Sequence, residues 1–152
     1  MSERAAGSAD GDQQAALWRL LAAPPRDDAT AFLAVLDETD AVLAETDEPL
    51  WAAWRHALAA RRSLIDGDSE PVSERVTSAR EALDKCPPTA QTALAMAYLA
   101  HVEVTADHFD AAMLLAVDAS LLAEGPAAAE PSRSLLQAHR WLSQTLSGLD
   151  LE

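Results

Sequence analysis

The side chains in this sequence best suited to chemistry are four histidines, one cysteine and a carboxylate pair at helical spacing. Glu103 and Asp107 stand four residues apart, which on a helix places two carboxylates on one face, as a carboxylate metal pair would be. The carboxylate metal sites of helical bundles also need Glu-x-x-His elements, and none occurs here. His101 and His108 are separated by a predicted turn, and His56 and His139 lie alone in their helices. His139 falls on an apolar stripe between Leu135 and Leu142, the setting of a packed, hydrogen-bonded ring. Cys86 is the single cysteine, so neither an intramolecular disulfide nor a cysteine metal cluster can form. It precedes Pro87 and Pro88 at a predicted helix end with no base arrangement to activate it, which makes it a structural thiol. Phosphate-loop, dinucleotide-glycine and HExxH zinc patterns are missing. No catalytic residue, metal or cofactor is expected.

Charge narrows the partners. Eleven basic residues against twenty-five acidic ones give a net charge of -14. Such a chain cannot offer a phosphate-neutralising face, which disfavours nucleic acid and anionic membranes alike. No basic residue occurs between Lys85 and Arg133, whereas Glu103, Asp107, Asp110, Asp118, Glu124 and Glu130 are acidic. This region is read as a solvated, self-repelling surface, with a docking face for a basic partner as the sharper alternative. Arginine outnumbers lysine, Lys85 being the sole lysine, a bias associated with GC-rich bacterial genes. No signal-peptide core or membrane-length apolar run is present, so the expected compartment is the cytoplasm.

Positioning of these groups falls to helices. Hydrophobic residues make up 49% of the chain, enough for a packed core, and Ala and Leu, the strongest apolar helix formers, dominate them. Residues 1–12 are polar and aperiodic and are read as a flexible tail ahead of a domain covering 13–152. Prolines at 24, 25, 49, 71, 87, 88, 126 and 131 partition the chain, because proline is tolerated in a first helical turn but not in a helix interior. Helices are predicted over 13–22, 28–45, 49–66, 71–85, 89–106 and 109–123, with a seventh after Ser132. Gly67 and Gly125 sit where a helix end favours positive φ. No segment alternates with period two, so the fold class is all-α. The aromatics Trp18, Trp51, Trp54, Tyr98 and Trp141 fall among leucines at helical spacing and are expected mostly in the core.

Three helices end alike. LAARRSLID covers Leu58 to Asp66, LAHVEVTAD covers Leu99 to Asp107, and LSQTLSGLD covers Leu142 to Asp150. The Leu-small step allows close helix approach, and the Asp is expected to cap the next helix. After Asp107, Phe109, Ala112, Ala116 and Ala119 share one face, while Ala79 and Ala82 follow Asp66. Each unit is a helical hairpin that must stack on its neighbour to bury its apolar side.

Over roughly residues 48–152 this pattern resembles the tetratricopeptide (TPR) family, carried by Leu99, Ala100, Asp107, Phe109, Ala112, Ala116 and Ala119. It is carried more loosely by Leu58, Ala59, Asp66, Ala79 and Ala82, and by Leu142, Ser143 and Asp150. An Asp replaces the family's turn glycine, and the period exceeds the family's usual one. The resemblance implies stacked antiparallel hairpins in a right-handed solenoid of about seven helices. It also implies a concave partner-binding groove lined by His56, Ser63, Ala97, His101, Thr105, Gln137, Arg140 and Gln144. TPR grooves that clamp acidic tails carry several basic residues. Here Arg140 is the single one, so an apolar or mildly basic helix or peptide is the better fit.

The function expected is a non-catalytic protein-interaction or regulatory module. Its partner would be a protein, a peptide, or an adjoining domain of a longer signalling protein, such as a GGDEF diguanylate cyclase; a homodimer is compatible with this reading. The alternative is a small-molecule sensor holding its ligand between helices in a tryptophan-lined pocket.

Overall fold

The computed structural model describes residues 12–21, 29–68, 70–125, 137 and 140. Among the described residues six helices precede position 126: α1 (residues 12–21), α2 (Ala29–Leu43), α3 (Pro49–Ile65), α4 (Val72–Leu83), α5 (Ala90–Thr105) and α6 (Phe109–Glu124). No strand occurs among the described residues, so the chain is all-helical there. The predicted tail up to residue 11, the seventh helix (Gln137 and Arg140 excepted), Trp141 and Gln144 lie outside the described residues.

Each boundary has a local cause. Pro49 opens α3 at its first turn after Glu48 in extended conformation, where its missing N–H is no loss. Thr89 opens α5, its hydroxyl accepting from the Thr92 N–H at 3.4 Å, and Thr92 in turn donates to the Pro87 carbonyl at 2.8 Å. The other ends of α3 and α5 share one device. At α3, Asp68 N–H bonds Ser63 O at 2.8 Å and Gly67 N–H bonds Leu64 O at 3.1 Å. At α5, His108 N–H bonds Glu103 O at 2.8 Å and Asp107 N–H bonds Val104 O at 3.0 Å. Both are complete Schellman motifs, in which the residue after the cap must be left-handed. Gly67 (φ 83) and Asp107 (φ 66) hold those places.

The recurring Asp therefore does a different job from the one expected. Asp66 is the C-cap of α3 and Asp107 follows the C-cap of α5, and α6 begins at His108 without a side-chain cap. Gly125 does end α6, but at φ -102. A Cβ there would sit 2.8 Å from the Leu121 carbonyl oxygen, so its need for glycine is one of space.

The main pairings are between sequence neighbours. α3 packs most extensively on α4, and α5 on α6, with lighter contacts of α2 on α3, α3 on α5 and α4 on α5. The core runs through all six helices: Leu17 and Leu20, Leu36 and Leu43, Trp51 and Trp54, Val72 and Leu83, Leu94 and Tyr98, Leu115 and Ala119. Trp54 and Tyr98 join α3 to α5 with ring centroids 5.1 Å apart. Trp51, Trp54 and Tyr98 are buried, and Trp18 is partly so. Alanines at 53, 57, 60, 93, 97, 100, 112, 116 and 119 are buried, which keeps the helices close enough for these large rings to be enclosed. α1 is tied to α2 by polar groups: buried Gln13 donates to the Val42 carbonyl at 3.1 Å. No described helix is long and apolar enough to cross a membrane.

Candidate functional site

The carboxylate pair singled out by spacing comes apart in the structure. Glu103 lies within α5 and is buried, whereas Asp107 is exposed in the left-handed turn beyond it. Glu103 instead meets His108, its Oε1 accepting from Nδ1 at 2.8 Å. Ser73, near the start of α4, brings its Oγ within 3.4 Å of the same nitrogen. A nucleophile relay needs the hydroxyl and the carboxylate on opposite ring nitrogens; here both approach Nδ1. The cluster pins the α5–α6 turn to α4 and supplies no activated serine. Sequence reasoning missed this contact, because a five-residue separation brings side chains together only once the Schellman turn has folded.

Burial pushes the Cys86 thiol up, and it donates to the Ala82 carbonyl at 3.6 Å. No cluster of three His, Cys, Asp or Glu side chains able to hold a metal ion is found among the described residues.

The described groove residues differ in setting. Ala97 is fully buried and belongs to the core. Ser63 and Thr105 turn their hydroxyls back onto their own helices, donating to Ala59 O at 3.2 Å and His101 O at 3.0 Å. His101 is half-buried beside Arg61; burial first, and then that arginine, bring it down to about 4. His56 lies five residues before Arg61, about 140° around the helix, and faces α4 instead, its Nδ1 3.4 Å from Arg75 Nη1. Gln137 is half-buried and Arg140 exposed. The space enclosed by Trp18, Trp51 and Trp54 is only about 10 Å³, less than a ligand needs.

Two features missing from the sequence reading stand out. The first is a cavity of about 350 Å³ between α2, α3 and α4. Asp37 and Asp40 line it from α2; Arg55, His56 and Arg62 from α3; and Arg75 from α4, with Leu36 and Leu58 among its apolar lining. Arg55 grips Asp40 through two bonds, at 3.0 and 3.4 Å, and Arg62 pairs with Asp37. Burial, reinforced by Arg75 and Arg55, lowers the His56 pKa.

The second is the outer face of α6. Phe109, Met113, Leu114, Val117 and Leu121 are 41–67% exposed, although Ala112, Leu115, Ala116 and Ala119 of the same helix are buried. Positions 113, 117 and 121 follow at four-residue steps with 114 beside them, so the row is continuous along the helix. Asp110 and Glu124 stand one helical turn beyond its two ends and are exposed. Contiguous exposed apolar rows rimmed by polar groups mark interaction surfaces. The chain matches no family model, and neither the curated proteins nor the solved structures include a significant match to it.

Proposed function

We propose that this chain is a non-catalytic interaction module that docks an amphipathic, basic-flanked helix on the outer face of α6. The observation that carries this reading is the row Met113, Leu114, Val117 and Leu121, large apolar side chains left in water on an otherwise strongly charged chain. Charge complementarity selects the occupant. Asp110 and Glu124 bracket the row, and no basic residue lies on α5 or α6. A partner helix with Lys or Arg at the margins of its apolar stripe would match both features. A second copy of this chain would bring another -14 of charge to the same place.

The order of packing supports a TPR-like stack, since α3 and α4 form one hairpin, α5 and α6 the next, and α5 touches both members of the first. In such a stack the outer helix of each hairpin would turn one face away from its neighbours among the described helices, which is the place this reading gives to α6. The partner helix belongs to another protein or to an adjoining domain of a signalling protein.

The test uses a labelled synthetic Leu/Lys amphipathic helix and a Leu/Glu counterpart, read by fluorescence anisotropy. The basic peptide is expected to bind and the acidic one not. Leu114→Glu and Leu121→Glu should each weaken binding at least about tenfold while leaving the helical circular dichroism unchanged. Equal binding by the variants would overturn the reading. So would a sedimenting dimer of the wild-type chain that the same substitutions dissolve, since the face would then belong to self-association.

A further inference from the structure

The cavity between α2, α3 and α4 is independent of the α6 face, and its charges are unusual for this molecule. Three of the few arginines in a chain of net charge -14 converge on it. Two are already matched, Arg55 by Asp40 and Arg62 by Asp37. Arg75 has no carboxylate within ion-pair distance among the described residues; its polar neighbour is His56. A guanidinium can only donate, so His56 must accept through Nδ1 and carry its proton on Nε2, leaving a second donor. With the ring neutral, three guanidinium charges against two carboxylates leave the cavity with a single positive charge. The apolar part of the lining comes from Leu36, Ala52, Leu58 and Ala59.

The geometry assigns this cavity to a small organic monocarboxylate, its head group on Arg75 beside His56 and its apolar body against Leu36 and Leu58. A carboxylate fits the planar fork of a guanidinium through two parallel hydrogen bonds. One negative charge balances the one left over, whereas a phosphate dianion would leave one negative charge unbalanced. The volume of about 350 Å³ falls at the small end of ligand sites. It suits an acid with a compact apolar body better than a long chain.

Benzoate is a suitable probe, with inorganic phosphate and chloride as controls at matched ionic strength. Benzoate should raise the melting temperature saturably, by about 3 °C at tenfold excess over its Kd, and should shift the ring resonances of His56. The controls should do neither. Arg75 is exposed, so Arg75→Gln should melt where the wild type does without ligand and lose the benzoate response, while Arg75→Lys should keep part of it. An unaltered response in Arg75→Gln would overturn the assignment. It would equally be overturned by phosphate acting as well as benzoate, by a benzoate shift at His101 with none at His56, or by the absence of any saturable response.

Discussion

Glu103 Oε1 and His108 Nδ1 meet at 2.8 Å across the turn between α5 and α6, the place where Schellman motifs more often carry an apolar contact. Their main chains are joined there as well, by the His108 N–H to Glu103 carbonyl bond at 2.8 Å. Only one partner is shielded from water: the Glu103 side chain is 3% exposed and that of His108 34%. Removing the histidine therefore leaves a buried carboxylate without its donor. His108→Ala should lower unfolding free energy by about 2–3 kcal/mol, read from urea titration, and His108→Gln should recover part of the loss. A His108→Ala change below about 0.5 kcal/mol would mean that water replaces the ring without cost.

The left-handed residues of the two turns give opposite expectations. Asp107 holds φ 66 with a Cβ, and Gly67 holds φ 83 without one. Asp107→Gly should stabilise the fold by about 1 kcal/mol, and Gly67→Ala should destabilise it by a similar amount. Space is not the reason at Gly67, since nothing lies within 4 Å of an added Cβ. Paired thermal melts decide the matter, and a destabilising Asp107→Gly would show that the aspartate side chain contributes more than its backbone strain costs.

His101 predicts a pH dependence of defined sign. Its folded value of about 4 lies below the roughly 6.5 of an unfolded chain. Between those values the unfolded state binds the proton more readily. The His101 contribution is thus complete above about pH 6.5, declines as pH falls toward 4, and stays level below that. Discounted for partial exposure, the loss is on the order of 2 kcal/mol. Urea midpoints at neutral and mildly acidic pH should differ less in His101→Gln than in the wild type. Parallel pH profiles would refute this.

Buried packing and surface charge should differ clearly in what they contribute. Trp54→Ala, which removes the ring tilted against Tyr98, should cost about 3–5 kcal/mol. Arg80 pairs with Asp118 across α4 and α6 with both side chains more than a third exposed, and a double-mutant cycle on that pair should yield less than about 1 kcal/mol. A larger coupling would imply that these helices rely on the ion pair for alignment.

Much of the helix plan was legible because its determinants are local. Proline positions and runs of Ala and Leu place α3, α5 and α6 within a residue or two of their observed ends, since first-turn tolerance and interior exclusion of proline act within one turn. The repeated Asp was legible as a signature but not as a conformation, because Asp107 takes the left-handed place only once the His108 N–H finds Glu103. α6 defeats periodicity for another reason. The face of Ala112, Ala116 and Ala119 is buried as their spacing groups them, but large apolar residues also line the opposite side, and the pattern does not tell that Leu114 and Phe109 stay exposed. The cavity was illegible because Arg75 reaches it from a different helix from Arg55 and Arg62, and linear spacing carries no record of that convergence.

The preference of each helix for its immediate successor also bears on synthesis. A chain whose principal contacts join adjacent segments closes short loops first and folds quickly. Such a chain can mature in order as it leaves the ribosome. The α3–α4 hairpin would be complete while α6 is still being translated. The apolar row of α6 would then emerge after that hairpin, on a scaffold already folded beneath it, which limits the time it is presented to other nascent chains.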